Sequence, residues 1–253
     1  MKIGLVLSGG GARGIGHIGV LKALEELNIP IDVIAGTSAG ALVGAMYARG
    51  YRSQELLEAV QKIKMFDWHT LSIGSLGLLK MQSIEKVLRE YLPNTFEELN
   101  IPLTVCSTDI VNNQSVFFSQ GNLIDKLLAS ACIPILYEPI LIDNCFYIDG
   151  GVLNNLPIEA VKDKCDKIIA IHVNHLGKHQ KKLSFKDILE RSFHLSISQS
   201  VYAKTNAIDV FIDPPNMSRF SMFDTQNQVQ EIIDYTYNFA MENKEYITSV
   251  LDK

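Results

Sequence analysis

A serine that could act as a nucleophile stands in the pattern G-x-S-x-G, as Gly36-Thr37-Ser38-Ala39-Gly40. The apolar run 31–35 before it predicts a buried strand, and the alanine-rich run 39–49 after it predicts a helix. A sharp strand-to-helix turn lifts a serine hydroxyl away from the backbone, and the flanking glycines avoid clashes there. Ser38 is therefore the candidate nucleophile for acyl transfer.

A second glycine-rich segment comes earlier, between a strand predicted over 2–8 and the next predicted helix. It consists of Gly9, Gly10, Gly11, Ala12, Arg13 and Gly14. Backbone N–H groups at a helix N-terminus lack partners within the helix, and the helix dipole favours negative charge there. Successive glycines also let the backbone approach a reacting atom closely. The segment suits an oxyanion hole, although a tight turn alone would also explain its glycines.

The same segment fits G-x-G-x-x-G, so a nicotinamide- or flavin-binding protein is an alternative. Such a site requires an acidic residue at the end of the second strand, where it binds the ribose. Asp32 stands at the start of the predicted second strand instead, which is the wrong edge of the sheet. No Gly-Lys-Ser/Thr follows the glycines, which excludes a Walker A loop.

The base that would accept the serine proton is predicted to be a carboxylate. Asp149 ends a predicted strand, and Gly150 and Gly151 turn the chain away from it. Partial desolvation raises the pKa of a carboxylate and makes it a better base. The alternative is an ordinary Asp-Gly-Gly turn.

The late histidines fit a catalytic triad poorly, since only two predicted strands precede Ser38. None of them has a distinctive setting; they are His172, His175, His179 and His194. The first three have a spacing that could suggest a metal cluster. One lies at a strand end and the others in a lysine-rich loop, so we expect them not to share a face and predict no metal site. His17 is expected to brace the loop or pack in its helix.

Together these motifs resemble the patatin-like phospholipases. Residues 8–14, with His17 and Gly19, are similar to the family's oxyanion segment, and 36–40 to its nucleophile elbow. Asp149-Gly150-Gly151 is similar to its catalytic aspartate turn. Stretches 129–134, 139–140 and 152–157 also match the surroundings of that aspartate. The resemblance covers about residues 2–173, and its strength lies in the order and spacing of the three motifs.

The resemblance implies an α/β fold, a three-layer sandwich with a mainly parallel central sheet. It implies a Ser–Asp hydrolase of acyl esters in phospholipids or lysophospholipids, with Ser38 as nucleophile and Asp149 as base. The amides of Gly9, Gly10 and Gly11 would hold the oxyanion, and no metal or organic cofactor is implied. The motifs would be supported by Ala12, Arg13, Gly14, Gly36, Gly40, Gly150 and Gly151. Arg13 would either brace the loop or meet a substrate phosphate. A non-catalytic lipid-binding module is the other alternative.

The chain is predicted to form one domain over 1–253, because no linker, repeat or low-complexity tract divides it. Alternating strands and helices at its start predict a parallel α/β core. The motifs lie within about 2–173, and C-terminal helices and a strand over 184–253 pack on that core. The last of these helices is predicted over 227–251. The apolar segment 65–79 either caps the site or packs on the sheet.

Composition narrows the function classes. The chain is 47% hydrophobic and 20% charged with a net charge of −5, which indicates a globular protein rather than a disordered or fibrous one. The negative balance and the lack of a basic run argue against a general nucleic-acid binder. The longest uncharged stretch, 33–48, is shorter than the roughly 20 residues of a membrane span. We expect a cytoplasmic protein with reduced cysteines that meets a lipid or acyl ester substrate through transient contact with a membrane surface.

Overall fold

The computed structural model describes residues 1–62, 81–177, 185–222 and 228–251. The segment 65–79, predicted to cap the site or to pack on the sheet, lies outside the described residues, as does His179. Among the described residues, no helix combines the length and the apolar character that are needed to cross a bilayer.

Within these ranges the strands form one mixed sheet of eight strands. The strands are β1 (Ile3–Leu7), β2 (Val33–Thr37), β3 (Leu103–Asp109), β4 (Gln114–Phe118), β5 (Ile140–Ile142), β6 (Cys145–Asp149), β7 (Lys167–Ile171) and β8 (Val210–Ile212). The order β3-β2-β1-β7-β8 is parallel throughout. Strands β4 and β6 pair antiparallel with β3, and β5 pairs antiparallel with β6. The predicted α/β fold with a mainly parallel sheet is confirmed.

Both faces of the sheet are covered. The helices are α1 (Gly16–Glu26), α2 (Ala39–Arg49), α3 (Ser53–Lys62), α4 (Gln82–Tyr91), α5 (Leu123–Ser130), α6 (Phe185–Tyr202), α7 (Val229–Glu242) and α8 (Lys244–Leu251). Side chains alternate between the two faces of a strand, so Leu5 of β1 packs into the core shared with α1, α2, α5 and α7. Val6 points to the other face and packs with Val201 of α6 and with residues of the segment 156–161. The molecule therefore has three layers. The sheet is the middle layer, α1, α2, α5 and α7 cover one face, and α6 with the segment 156–161 covers the other.

Two predicted elements were wrong in their bounds. The second strand was expected over 31–35 but lies at Val33–Thr37, because Asp32 turns its carboxylate back to accept a hydrogen bond from the Ile3 amide (2.7 Å). The last helix was expected over 227–251 but is divided into α7 and α8. At the break, Nδ2 of the Asn243 side chain donates to the Phe239 carbonyl (2.8 Å). A side chain that bonds a helix carbonyl in this way competes with the backbone N–H groups that would continue the helix.

The sheet topology brings the chemically important loops together. Because parallel neighbours end at the same edge of a sheet, the segments that follow β2, β1 and β7 lie side by side. Ser38 follows β2, the glycine-rich segment follows β1, and Asn174 follows β7. The end of β6 reaches the same region because Asp149 pairs with Ser107 of β3.

A close approach between α1 and α7 ties the C-terminal third to the core. A Cβ added at Gly19 would collide with the Ile233 carbonyl and the Thr236 hydroxyl of α7. We predict that Gly19→Ala lowers the free energy of unfolding by about 1–3 kcal/mol through overpacking. Alanine in place of glycine within a helix ordinarily raises stability by about 0.5–1 kcal/mol. A decrease in the free energy of unfolding would therefore indicate overpacking against α7.

Urea denaturation measures this difference. Lys86→Ala, at an exposed position of α4, is the control for adding alanine to a helix and should change stability by no more than about 0.5 kcal/mol. A Gly19→Ala protein as stable as the parent would contradict the close packing of α1 on α7.

Candidate active site

Ser38 occupies a strained turn between β2 and α2. Its φ of 53° and ψ of −124° lie in a region that non-glycine residues rarely adopt. A Cβ at Gly40 would collide with the Leu7 and Ser8 carbonyls, and one at Gly36 would lie 2.7 Å from Ala41 Cα. Both glycines therefore permit the close contacts on which the turn depends. This is the elbow geometry that the sequence pattern predicts.

A second serine fixes the backbone of the elbow. The Ser38 N–H donates to Ser130 Oγ (2.8 Å), and Ser130 Oγ in turn donates to the Cys106 carbonyl (2.6 Å). Ser130 is fully buried at the end of α5. Ser130 lies in the stretch 129–134, which resembles the family pattern, but its residue type and spacing do not by themselves predict this contact.

Ser38 and Asp149 form a buried hydrogen-bonded pair. The Ser38 hydroxyl donates to Asp149 Oδ2 (2.6 Å), and the two residues are 5% and 3% exposed. The other carboxylate oxygen, Oδ1, accepts the Gly151 N–H (2.7 Å). Burial raises the pKa of Asp149 to about 6, while the hydrogen bonds from Ser38 and Gly151 act to lower it. Above that pH the carboxylate is ionised and can accept the serine proton.

The glycine loop lies against this pair, but its three amides are not equivalent. The Gly9 N–H already donates to the Asn155 carbonyl (3.1 Å), so its predicted role as an oxyanion donor does not fit this structure. Among the described residues, no partner is found for the N–H of Gly10 or Gly11. Gly11 has a φ of +53° and its Cβ would collide with the Met222 carbonyl, so this position requires glycine. The amides available for an oxyanion are those of Gly10 and Gly11.

The other loop residues are held from several sides. Ala12 donates its N–H to the Met222 carbonyl (2.8 Å), and a Cβ at Gly14 would collide with Ala39. The buried Arg13 donates through Nε to the Phe220 carbonyl (2.7 Å), with Nη1 near His194 Nδ1 (3.4 Å). Of the two roles left open for Arg13, the described contacts are those of a brace.

The predicted supporting residues beyond the loop also have close neighbours. His17 donates through Nε2 to the Ser8 carbonyl (2.8 Å), and burial lowers its pKa to about 4. A Cβ at Gly150 would collide with the Cys106 carbonyl, and one at Gly151 would lie 3.0 Å from Asn155 Oδ1.

A narrow cleft opens beside Ser38. The free space between its walls and at its open mouth is about 310 Å³ in total. Its lining is mainly apolar and consists of Gly11, Ser38, Ala39, Leu42, Ile84, Ala131, Ile133 and Tyr137. An apolar cleft lined by Ser38 and Gly11 could accommodate the acyl portion of an ester.

The late histidines lie outside the Ser38–Asp149 pair. His172 and His175 were expected not to share a face, but both bond Asp213, through Nδ1 at 3.0 Å and 2.8 Å. The described residues contain no group of three or more His, Cys, Asp or Glu that could hold a metal ion. Asp32, which a dinucleotide site would need near the glycine loop, lies at the opposite edge of the sheet beside Ile3.

Comparison with known sequences gives consistent matches. The sequence model described as patatin-like phospholipase matches residues 5–162. An uncharacterized NTE family protein of Mycobacterium bovis is 35% identical over 181 residues, which are 68% of this chain and 49% of that protein. Lysophospholipase NTE1 of Kluyveromyces lactis is 35% identical over 201 residues, 74% of this chain and 14% of that protein. The chain thus spans at most about half the length of these curated relatives.

Solved structures with this fold are more distant in sequence. VipD from Legionella pneumophila matches with a TM-score of 0.56 and 16% identity, over 95% of this chain and 66% of that one. The ExoU–SpcU complex of Pseudomonas aeruginosa matches with a TM-score of 0.50 and 14% identity, over 100% of this chain and 52% of that one. At these identities the likeness shows the fold alone.

The raised pKa of Asp149 predicts a pH-dependent change in stability. Near pH 4 the buried carboxyl is largely protonated and its burial costs little. As the pH rises through about 6, the folded state must hold an ionised buried carboxylate, and stability is lost. Asp149→Asn avoids this ionisation. We predict that its stability relative to the parent increases between pH 4 and pH 8 by an amount on the order of 3 kcal/mol at most.

Urea denaturation at several pH values between 4 and 8 measures the effect. Asp143→Asn, at an exposed turn between β5 and β6, is the matched control and should show no such trend. If Asp149→Asn and the parent lose stability in parallel over this range, burial does not raise the pKa of Asp149.

Proposed function

The chain belongs to the patatin-like phospholipase family, and we propose that it hydrolyses carboxylic esters of lipids through an acyl intermediate on Ser38. The observation that carries this proposal is the 2.6 Å hydrogen bond from Ser38 Oγ to the buried Asp149 carboxylate. In the glycine loop nearby, the N–H groups of Gly10 and Gly11 have no partner within the part of the chain that the structure describes. A nucleophile, a base of raised pKa and donors for an oxyanion are the parts that acyl transfer requires.

The reaction proceeds in two stages. Ser38 Oγ attacks the ester carbonyl as its proton passes to Asp149 Oδ2, and the N–H groups of Gly10 and Gly11 stabilise the oxyanion. Asp149 then protonates the departing alcohol, which leaves an acyl ester on Ser38. Asp149 next takes a proton from water, whose oxygen attacks that ester. As the bond between Ser38 Oγ and the acyl carbon breaks and the fatty acid is released, Asp149 returns the proton to Ser38 Oγ. Every step uses groups of this chain and water.

We propose that the substrates are lysophospholipids. Two fungal relatives carry the name lysophospholipase, and the cleft beside Ser38 is narrow and mainly apolar. A substrate with a single acyl chain suits such a cleft. Cytoplasmic location and transient contact with a membrane surface are predictions that belong to this proposal.

The first test measures ester hydrolysis by the whole chain. A panel of lysophosphatidylcholine, phosphatidylcholine and triacylglycerol should show the fastest fatty acid release from the lysophospholipid. Ser38→Ala and Asp149→Asn should each lose at least about 1,000-fold in kcat, since the two residues act as a unit. With the parent protein, kcat/KM should rise with pH and level off above about 6, as Asp149 ionises.

Labelling with a fluorophosphonate separates the alternatives. The parent should be labelled at Ser38, and Ser38→Ala should not. Lipid binding that survives Ser38→Ala, with no ester hydrolysis by the parent, would instead indicate a non-catalytic lipid-binding module. Full activity in Asp149→Asn would contradict the role of Asp149 as base.

An exposed isoleucine at the cleft supports contact with lipid. Ile135 is 73% exposed, and its neighbours Ile133 and Tyr137 line the cleft. Its φ of +74° is unusual for a β-branched residue, so the backbone there is strained. A strained, exposed apolar side chain next in sequence to residues that line the cleft is consistent with insertion into a lipid surface.

We predict that Ile135→Asn reduces hydrolysis of lysophospholipid in neutral vesicles by about tenfold, because an isoleucine contributes roughly 1.5–3 kcal/mol when buried. Asparagine tolerates positive φ, so the backbone should keep its shape. Hydrolysis of a short, water-soluble ester should not change. Ile188→Asn, at an exposed isoleucine of α6, is the control and should affect neither substrate. Equal losses on both substrates would contradict a role in lipid contact.

A further inference from the structure

The carbonyl of Gly9 is held by a side chain from outside the three motifs. Asn174, fully buried just after β7, donates through Nδ2 to the Gly9 carbonyl (2.5 Å). Strand β7 is the neighbour of β1, so the residues that follow β7 reach the glycine loop directly. In the same place, the Val173 N–H donates to Ser8 Oγ (3.1 Å).

The bond from Asn174 to the Gly9 carbonyl also sets the direction of the Gly10 N–H, because both groups belong to one peptide unit. The Gly9 carbonyl and the Gly10 N–H belong to the same peptide unit, which is planar and trans, so they point in opposite directions. A glycine pair resists rotation of this unit less than other residues do. Because Asn174 holds the carbonyl and the Asn155 carbonyl holds the preceding Gly9 N–H, the direction of the Gly10 N–H is fixed.

Asn174 is in turn held by His194 from α6. The His194 Nε2 donates to the Asn174 carbonyl (2.5 Å), so this nitrogen carries a proton. Nη1 of Arg13 lies about equally far from the two ring nitrogens, at 3.4 Å from Nδ1 and 3.5 Å from Nε2, so a guanidinium charge faces the ring and disfavours a second proton on it. Burial, with a smaller contribution from the Arg13 guanidinium, lowers the pKa of His194 to about 4. The neutral form therefore prevails wherever Asp149 is ionised.

We infer that Asn174 and His194 are positioning residues that hold the Gly9–Gly10 peptide in the orientation in which the Gly10 N–H receives the oxyanion. This inference rests on the proposed function. It assigns the C-terminal third of the chain a part in the chemistry.

The two ends of the Asn174 side-chain amide differ in their surroundings. Its Oδ1 atom is buried and has no hydrogen-bond partner among the described residues. A buried unpaired acceptor costs free energy, and such groups in native structures call for a reason. The donor on the same amide, directed at Gly9, supplies that reason.

The main test replaces the donor without changing the shape. Asn174→Asp is isosteric, and its ionised carboxylate cannot donate to the Gly9 carbonyl and repels it. Because burial raises the pKa of a carboxyl and a protonated carboxyl could still donate, the assays are run at alkaline pH. We expect kcat on a soluble ester to fall by about 100-fold with KM nearly unchanged, as for a small misplacement of the catalytic geometry. Affinity for a trifluoromethyl ketone, which forms an oxyanion adduct with Ser38, should fall by the same factor as kcat/KM.

His194 provides a second variant with a conservative partner. His194→Ala should lower kcat by about tenfold, whereas His194→Gln, which keeps a donor and an acceptor, should retain most of it. If both residues act on one peptide, the losses in the double variant Asn174→Asp with His194→Ala should not multiply. Ser198→Ala is the matched control on α6, because its buried hydroxyl donates to the His194 carbonyl of the same helix (2.7 Å). It should keep both kcat and the inhibitor affinity.

The outcomes separate this inference from the proposed function. If the parent hydrolyses esters but Asn174→Asp keeps its kcat, or loses kcat without losing ketone affinity, the positioning role is overturned and the proposed function stands. If the parent shows no ester hydrolysis and no labelling of Ser38, both fall together. Should Asn174→Asp fail to fold, a drop in kcat in folded His194→Ala that His194→Gln rescues supports the inference, and unchanged kcat in both overturns it.

Discussion

A carboxylate is a weak base for an alcohol because its pKa in water is far below that of the alcohol it must deprotonate. Burial of Asp149 narrows this gap by raising its pKa to about 6, even though two hydrogen bonds to the carboxylate act in the opposite direction. If those hydrogen bonds outweighed burial, the pKa would fall below its ordinary value and the base would weaken. The site therefore has to exclude water from Asp149 and still present Ser38 to a substrate, and the rest of the structure meets these two demands.

The turn at Ser38 presents its hydroxyl to the cleft, but the backbone of this turn is strained. A residue held at the φ and ψ of Ser38 costs about 1–3 kcal/mol, which the surroundings must offset. Hydrogen bonds from distant parts of the chain supply this restraint. Ser130 holds the Ser38 N–H, and the Thr37 hydroxyl donates to the Asn154 carbonyl (2.9 Å). The strain is thus maintained by contacts with the end of α5 and with the segment that follows Asp149 rather than by the local sequence.

The distinction between local and distant contacts explains what could be predicted from the sequence. Ser38, Asp149 and the glycine loop stand in short patterns whose steric reasons are local, and the structure brings them together. Three other residues act through contacts with distant parts of the chain: Ser130 with a residue 92 positions away, Asn174 with one 165 positions away and His194 with one 20 positions away. Ser130 lies in a stretch that resembles the family pattern, but no local pattern indicates which atoms these three side chains bond. The prediction that the Gly9 N–H holds the oxyanion does not fit for the same reason, since this N–H donates to the carbonyl of the distant Asn155. The division of the last helix was missed because one side-chain contact at Asn243 outweighs an uninterrupted apolar stripe.

The family model ends at residue 162, but the structural unit that forms the site does not. Strand β7 begins at Lys167 and pairs with β1 along its whole length, so residues 5–162 alone would leave that edge of the central strand unpaired. The Ser8 hydroxyl and the Gly9 carbonyl, both in the glycine loop, would lose their partners at Val173 and Asn174. The three motifs contain the groups that are proposed to react, whereas Asn174 and His194, which follow residue 162, are the residues inferred to fix the direction of the Gly10 N–H. A chain with all three motifs intact could therefore bind an ester and still lack an ordered oxyanion hole, because the Gly9–Gly10 peptide has little conformational preference of its own.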